Sequence, residues 1–406
     1  AFYQDELMLN IRIFFLKKDI PLNIAHFIDH FCMLIFAKAA YDCAIYFNTS
    51  YGDIIIYATL GLILFGAFAP LASYLSKVFS RKILLIVFPI GVGFSSIFAG
   101  FSQNLIHLGI TLTLIGIFAS IYHPVGIAML MKNKEKLGLR LGINGVWGNM
   151  GVAFAPLITG LLIFYFNWRI SFILPGILYL LFGLWLVLTN FDEDISETSQ
   201  NDKSKNNFAP RWKKAMISLI LITIAGGFTF GSLTFLIPRY FDIYMSEMTK
   251  NIFITGLLAS AVYAIASFAQ VISGWLVDKK GYRTILIYIG IFQILFIFLT
   301  SQSENLYLFI FMLLGMAFVF SQIPISDIII SAYIPDESRS EFLSIKYVLN
   351  LCIGALILPV TGFLLKIGFE LNFLFFLLSF FPLLVILGAF ILPSDINKIK
   401  KKHINI

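Results

Sequence analysis

The stretch AHFIDHFCMLIFAKAAYD, residues 25–42, places ionisable side chains inside an otherwise apolar run. His26, Asp29 and His30 share one helix face, because residues three and four apart are neighbours on a helix. Histidine titrates near neutral pH, and a carboxylate beside it can share its proton. These three residues therefore have the chemistry to carry a proton or to bind a charged solute.

A metal site is a second interpretation of the same residues. Histidines four apart, such as His26 and His30, can chelate an ion, but no HExxH glutamate or third ligand nearby completes a hydrolase. We therefore expect no metal and no cofactor. A purely structural role also stays open, in which Asp29 and His30, or His30 and His123, hydrogen-bond to each other. His26 is expected at the membrane interface.

Lys38 and Asp42 lie further along the same run, four residues apart. Lys38 can pair with Asp42, extend its ammonium to the membrane surface, or bind an anionic group of a substrate. Counted from the start of the apolar run, Lys38 lies about 26 Å along a helix, in the outer third of the membrane. Pairing with Asp42 or extension to the surface is the interpretation that we favour.

The composition indicates that lipid surrounds most of the chain. Of the 406 residues, 59% are hydrophobic and 13% are charged, and the mean hydropathy is +0.90. A soluble chain needs about a quarter of its residues charged. The protein is therefore predicted to be a multi-pass membrane protein, and its net charge of +7 indicates topology rather than nucleic-acid binding. Its three cysteines suggest no disulfide framework.

Twelve apolar runs are long enough to cross the bilayer, which takes about 20 helical residues. The polar, highly charged segment 191–214 predicts a cytoplasmic linker between two halves, residues 1–190 and 215–406. The fold class is therefore an all-α membrane protein with twelve transmembrane helices in two six-helix halves. The runs are centred near positions 34, 64, 92, 118, 152, 180, 227, 264, 292, 318, 353 and 382.

Basic residues are distributed unevenly between the loops. Most of the 29 lysines and arginines, with Lys346 counted among them, fall at the termini, in the linker and in alternate loops. Because lysine and arginine concentrate in cytoplasmic loops, both termini are predicted in the cytoplasm. The expected location is the cytoplasmic (inner) membrane of a bacterium.

The two halves repeat at an offset of about 200 residues. Residues 73–86, SYLSKVFSRKILLI, align with residues 274–287, GWLVDKKGYRTILI. Segment 36–42 likewise lies over segment 236–242, and Pro124 matches Pro324. Parallel repeats of this kind are typical of transporters that bind their solute near the middle of the membrane.

The segment between spans eight and nine resembles the signature loop of the major facilitator superfamily, G-x-L-x-D-[RK]-x-G-[RY]-[RK]. The resemblance to this family covers nearly the whole chain, and it implies alternating access, with this loop acting as a gate. In the first-half copy, Ser73 and Lys77 replace the glycine and the aspartate, so Lys77 is expected to be a simple cytoplasmic anchor. The gating residues carried over are Gly274, Asp278, Lys279, Gly281 and Arg283.

Spans four and five carry two further resemblances to the superfamily. The pattern Gly151, Pro156 and Gly160 is similar to one in the family's antiporters, which implies a conformational hinge, although ordinary helix packing uses the same small residues. The run 122–126, YHPVG, is similar to a signature of a branch that includes fosmidomycin-resistance-like exporters. Both resemblances favour export.

Several polar residues are predicted to form one layer inside the membrane. In the family, spans one, four, seven and ten line the central cavity, and Asp29, His123 and Asp327 each lie about 13 Å from a cytoplasmic helix end. Intramembrane ionisable residues are functional by default. The candidates for substrate binding and proton coupling are Asp29, His30, His123, Asp327, Asn149, Asn350, Lys38, Tyr122 and Trp147.

The combined prediction is a secondary active transporter, not an enzyme, that moves a small solute by alternating access. Its partners are a small-molecule substrate, protons or a counter-substrate, and the lipid bilayer, with no nucleic acid; we expect a monomer. Proton-coupled export is favoured, and uptake of a small organic anion by symport is the alternative. A membrane-embedded metal-dependent hydrolase is the candidate from another class, and no nucleophile motif supports it.

Overall fold

The computed structural model describes residues 2–131, 137–188 and 208–393 of the chain. Every regular element within these ranges is a helix, which confirms the all-α prediction. In chain order the helices are α1 (Phe2–Tyr46), α2 (Tyr51–Ile55), α3 (Thr59–Ala67), α4 (Ala69–Val78), α5 (Arg81–Gly100), α6 (Leu105–Ala119), α7 (Tyr122–Met131), α8 (Leu137–Tyr165), α9 (Ile170–Leu188), α10 (Trp212–Tyr244), α11 (Ile252–Ser267), α12 (Ala269–Lys280), α13 (Tyr282–Ser301), α14 (Asn305–Tyr333), α15 (Asp336–Ala355), α16 (Ile357–Lys366), α17 (Leu371–Leu378) and α18 (Leu383–Ile391).

Ten helical stretches in the described ranges are long and apolar enough to cross a membrane, and ten of the twelve predicted centres lie in them. The predicted span near position 64 is bent instead, because Tyr51–Ala67 and Ala69–Ser76 meet at 40°. Pro70 stands in the first turn of the second piece, where its missing N–H does no harm. The span near position 264 is α11, a shorter apolar helix. A multi-pass helical protein is confirmed, and the count of twelve spans stays a prediction.

The helices run between two ends of the bundle, which the connecting turns define. The basic end carries the connections at 79–80, 281 and 334–335 and is named for Arg81, Lys280 and Arg283 beside them. The opposite end, called the far end, carries the connections at 47–50, 101–104, 166–169, 245–251, 302–304 and 367–370.

Among the described residues, the two predicted halves contact each other most extensively through α8 with α11, α3 with α15, α1 with α10 and α2 with α16. Glycines permit the closest approaches, and these lie towards the far end. A Cβ atom at Gly362 would lie 2.6 Å from the carbonyl oxygen of Gly52, and one at Gly256 would collide with the carbonyl of Pro156. Small residues are needed there because the backbones themselves touch.

The predicted linker lies mostly outside the described residues, since 189–207 are not among them. From Phe208 onward the chain belongs to the second half. The Ala209 N–H donates to the carbonyl oxygen of Tyr333 at 3.1 Å, and Phe208 packs on Trp212 and Phe342. Helix α10 begins at Trp212, so the last residues of segment 191–214 are already helical.

Candidate functional site

His26, His30 and His123 come together between α1 and α7, and we call them the histidine cluster. Their ring centroids lie 5.0, 5.3 and 5.4 Å apart. One ring nitrogen of each histidine lies within 4.8 Å of the corresponding atoms of the other two. His26 is 7% exposed, because its ring turns inward against α7 and α8, and its place at the membrane interface stays a prediction.

The orientation of His26 is set by neighbours on two helices. Its Nδ1 lies 2.8 Å from the backbone oxygen of Asn144. A carbonyl only accepts hydrogen bonds, so Nδ1 carries the proton and Nε2 carries the lone pair. That Nε2 is buried and has no hydrogen-bond partner among the described residues. The ring stacks on Tyr122 at 4.9 Å and fits against Gly148, where a Cβ would lie 2.5 Å from Nε2.

Asp29 is completely buried beside the cluster. Its Oδ2 lies 3.2 Å from Nε2 of His123, so its contact is with α7 rather than with the adjacent His30. Neither carboxylate oxygen accepts a hydrogen bond of regular geometry from the described residues. A carboxylate removed from water without such bonds is costly, and it needs a proton or a nearby cation to compensate it.

Tyr122 is fully buried, and it holds α1, α7 and α8 together. Its hydroxyl donates to the carbonyl oxygen of Leu22 at 3.0 Å and accepts from Asn144 Nδ2 at 2.9 Å. Asn144 also donates to Asn23 Oδ1 at 3.0 Å. Tyr122 therefore presents its ring to His26 rather than to a solute. Asn144 was missed in the sequence analysis, because an asparagine in an apolar helix does not reveal which neighbour it bonds.

An ion pair joins α1 to α8 on the basic side of this network. The Arg140 guanidinium donates to Asp19 at 2.5 and 2.7 Å, and both side chains are buried. The bidentate geometry is the strong form of this interaction. It positions the start of the span that carries the histidine cluster.

The second half contributes an ion pair of its own. Lys346 Nζ on α15 lies 2.5 Å from Asp327 Oδ1 on α14, with the lysine side chain 8% and the aspartate side chain 39% exposed. The next residue, Tyr347, stacks on His123 with ring centroids 5.6 Å apart. Lys346 is thus a buried, paired residue inside a helix, and grouping it with the loop cations was wrong. His123 and Tyr347 bring the two halves together at this point.

Lys38 has a partner that the sequence analysis did not predict. Its Nζ donates to Asp242 Oδ1 at 2.7 Å and to Thr255 Oγ1 at 2.6 Å, and its side chain is completely buried. Pairing with Asp42 and extension to the membrane surface are therefore both wrong. The physical reason is that Lys38 faces α10 and α11 of the other half, whose carboxylate and hydroxyl accept from the ammonium.

The gating-loop residues are only partly described. Gly274, Asp278 and Lys279 lie in α12 but outside the residues whose side chains are described, and Lys77 in α4 does likewise. Gly281 ends α12 with φ 83° and ψ 154°, a conformation that only glycine adopts without strain. The Arg283 guanidinium lies 5.2 Å above the ring of Phe390 on α18.

The three α8 residues of the predicted hinge, Gly151, Pro156 and Gly160, lie at close contacts. A Cβ at Gly151 would collide with the carbonyl of Phe27 on α1, and one at Gly160 would lie 2.9 Å from the carbonyl oxygen of Ile252 on α11. Pro156 lies inside α8 and meets Gly256. These contacts favour the packing role, and the hinge stays a prediction.

The remaining candidates lie on the same helices. Asn149 and Asn350 are half-buried on α8 and α15, and Trp147 is exposed on α8.

These features define a helical membrane transporter with an internal repeat and ionisable groups at the meeting of its halves. The chain belongs to the Major Facilitator Superfamily, whose family model matches residues 22–326 and 244–404. The family and the fold are those of transporters. Together with the apolar helices and the bacterial relatives, they support the predicted location in a bacterial inner membrane.

The chain is similar to two curated relatives described as multidrug resistance protein MdtG. The protein from Proteus mirabilis (strain HI4320) is 27% identical over 250 residues, which is 59% of this chain and 61% of the relative. The protein from Yersinia enterocolitica is 27% identical over 224 residues, 54% of each chain. The matches thus span between about half and three fifths of these relatives.

A solved structure shares the fold. A bacterial homologue of the human lysosomal transporter Spinster, in an inward-facing and unoccupied conformation, gives a TM-score of 0.71 over 94% of this chain and 93% of that chain, with 15% identity. The occupied form of the same homologue gives a TM-score of 0.69 over 97% of both chains, with 14% identity.

Proposed function

We propose that this protein is a proton-coupled secondary transporter that exports a small solute by alternating access. The observation that carries the proposal is the Asp327–Lys346 pair at 2.5 Å, whose lysine is buried and is followed by the ring that stacks on His123. Each charge inside the membrane costs roughly 2.5–3.5 kcal/mol on insertion scales, so an intramembrane pair points to function.

Protonation of Asp327 would weaken its pairing with Lys346, so that binding of a proton changes the contacts of the lysine. A neutral Asp327 no longer attracts the Lys346 ammonium strongly, and the lysine then has the Tyr347 ring, 5.4 Å away, as its remaining described contact. That ring is the one stacked on His123 of the other half. Loss of the pair would therefore alter the contact between the halves, which is what coupling requires.

Alternating access is supported by the location of the contacts between halves. The pair formed by Lys38 and Asp242 and the close approaches at Gly256 and Gly362 lie towards the far end. If the basic end and both termini are cytoplasmic, the described arrangement is closed to the outside. These contacts would separate when the far end opens, while the gating loop around Asp278 closes the basic end.

Export is favoured by the name of the relatives, multidrug resistance protein, and by the resemblances in α7 and α8. Uptake of a small organic anion is the second candidate. It is favoured by Lys346, which is buried and becomes available to an anionic group once Asp327 is neutral. We propose a monomer as the functional unit in either case.

The test uses everted membrane vesicles acidified inside by respiration, with a pH-sensitive acridine dye as reporter. A panel of antibiotics and small organic anions is added one compound at a time. A transported drug should release protons and restore fluorescence with the wild type and with Glu304→Gln, an exposed carboxylate at the far end. Asp327→Asn should abolish the release.

Proton release by Asp327→Asn at the wild-type rate would refute the assigned coupling residue. Accumulation of an organic anion together with protons, in right-side-out vesicles under an inward proton gradient, would replace export by the symport alternative.

A further inference from the structure

We propose that the histidine cluster is a binding site for a divalent transition-metal ion of the zinc class. Three imidazoles from two helices converge there, and such a site is independent of whether the protein couples transport to protons. Imidazole nitrogen is a favoured ligand of Zn²⁺, Co²⁺, Ni²⁺ and Cu²⁺. The sequence alone showed only two of the three ligands.

The distances between the ring nitrogens of the three histidines are compatible with a metal site that contracts when an ion binds. One nitrogen of each histidine lies within 4.8 Å of the other two. Nitrogens bound to one tetrahedral zinc ion, at 2.0–2.1 Å from the metal, lie about 3.3 Å from each other. Small ring rotations bring the three nitrogens to that separation, because His30 and His123 are only partly buried.

Two of the ligands are already oriented by their other ring nitrogen. The Nδ1–H of His26 donates to the backbone oxygen of Asn144, which leaves a buried Nε2 lone pair without a partner among the described residues. The Nε2 of His123 lies 3.2 Å from the Asp29 carboxylate, which leaves Nδ1 to bind. In metal-binding histidines, the ring nitrogen that does not bind the metal characteristically donates to a carbonyl or a carboxylate.

The charge balance also favours a cation. Asp29 is fully buried, and no regular hydrogen bond from the described residues reaches its carboxylate. A divalent ion bound by three neutral imidazoles beside it supplies the missing positive charge.

Two of the three rings are partly exposed. The His123 side chain is 16% exposed, and His30 is partly exposed as well. Three protein ligands leave the fourth tetrahedral position for water or for a donor atom of a solute.

The experiment is a direct binding measurement on the full chain, purified in detergent without a polyhistidine tag and stripped with a chelator. Zn²⁺ is titrated by calorimetry and Co²⁺ by visible absorption. One ion per chain is expected, with the strong visible bands of tetrahedral cobalt and without thiolate charge-transfer absorption. The absence of that absorption excludes the nearby Cys32 as a ligand.

Variants locate the ion. His30→Ala and His123→Ala should lose the cobalt spectrum, and His107→Ala, which alters a histidine outside the cluster, should keep it. Asp29→Asn, which removes an orienting group, should weaken zinc binding by ~10–100-fold. Thermal unfolding in the absence of metal shows which variants are folded.

Two results would overturn the proposal. One is a folded wild-type chain that binds neither Zn²⁺ nor Co²⁺ at micromolar concentrations. The other is unchanged binding in folded His30→Ala and His123→Ala proteins. Failure of proton-coupled transport in a chain that binds zinc would leave this proposal standing.

Discussion

The Nζ atom of Lys38 on α1 lies 2.7 Å from Oδ1 of Asp242 on α10, so a buried ion pair joins the two halves at the far end. A second contact between the same two segments also involves a cation, because the Arg239 guanidinium of the second half lies 3.6 Å above the Tyr41 ring of the first. The repeated segments 36–42 and 236–242 therefore contact each other across the molecule.

Breaking this pair is expected to destabilise the protein. Lys38→Met leaves Asp242 without its ammonium in a nearly dry site, and loss of one partner of a buried pair costs about 3–5 kcal/mol. The melting temperature in detergent should fall clearly, and the double variant Lys38→Met with Asp242→Asn should recover part of it. Lys366→Met, at an exposed lysine, is the control. Single variants as stable as the wild type would show that the pair adds nothing.

Removal of the Asp327–Lys346 pair should abolish proton coupling while solute exchange continues. In a chain carrying both Asp327→Asn and Lys346→Met, no charge is left unpaired, so the fold should be retained. Solute should still exchange down its own gradient in proteoliposomes, whereas an imposed pH gradient should no longer drive accumulation. Gradient-driven accumulation equal to that of the wild type would contradict the role assigned to this pair.

A larger side chain at Gly256 should favour opening of the far end. Its Cβ would collide with the Pro156 carbonyl, so Gly256→Val pushes α11 away from α8. A cysteine placed at the buried Thr159, in a chain lacking the three native cysteines, should then react faster with a maleimide added from the far side. Gly145→Val is the matched control, since a Cβ at Gly145 meets nothing within 4 Å. Equal labelling rates would argue against this contact as part of the closure.

Asp278 is expected to affect the rate of the cycle rather than binding. The resemblance of residues 274–283 to a gating loop predicts that Asp278→Asn lowers turnover, because a carboxylate contact of the closed basic end is lost. Solute affinity, measured by the thermal shift of the purified protein, should stay unchanged. Asp53→Asn, at an exposed aspartate of the far end, serves as control. Loss of affinity with normal cycling would refute the gating role.

The order of the residues along the chain was sufficient for the class, the family and the repeat. A transmembrane span can be recognised from the hydrophobic residues of one short segment, and the signature loop of the family can be recognised from the residues around Gly281. The reliance on short segments also explains why the partners of two charged residues were predicted wrongly. Lys38 was paired with the nearest acidic residue on its own helix, and Lys346 was assigned to a loop, because sequence spacing contains no information on how a helix is rotated against helices of the other half.

By itself, then, the sequence determined a multi-pass helical transporter with ionisable residues inside its spans, since hydropathy, charge bias and repetition are properties of short segments. Tertiary structure alone decided the partners: Asp242 for Lys38, Asp327 for Lys346, and His123 as the third member of the histidine cluster. These pairings depend on which helix faces pack against each other. The partner of a buried charge or lone pair therefore lies on the opposing helix rather than among its neighbours in the sequence.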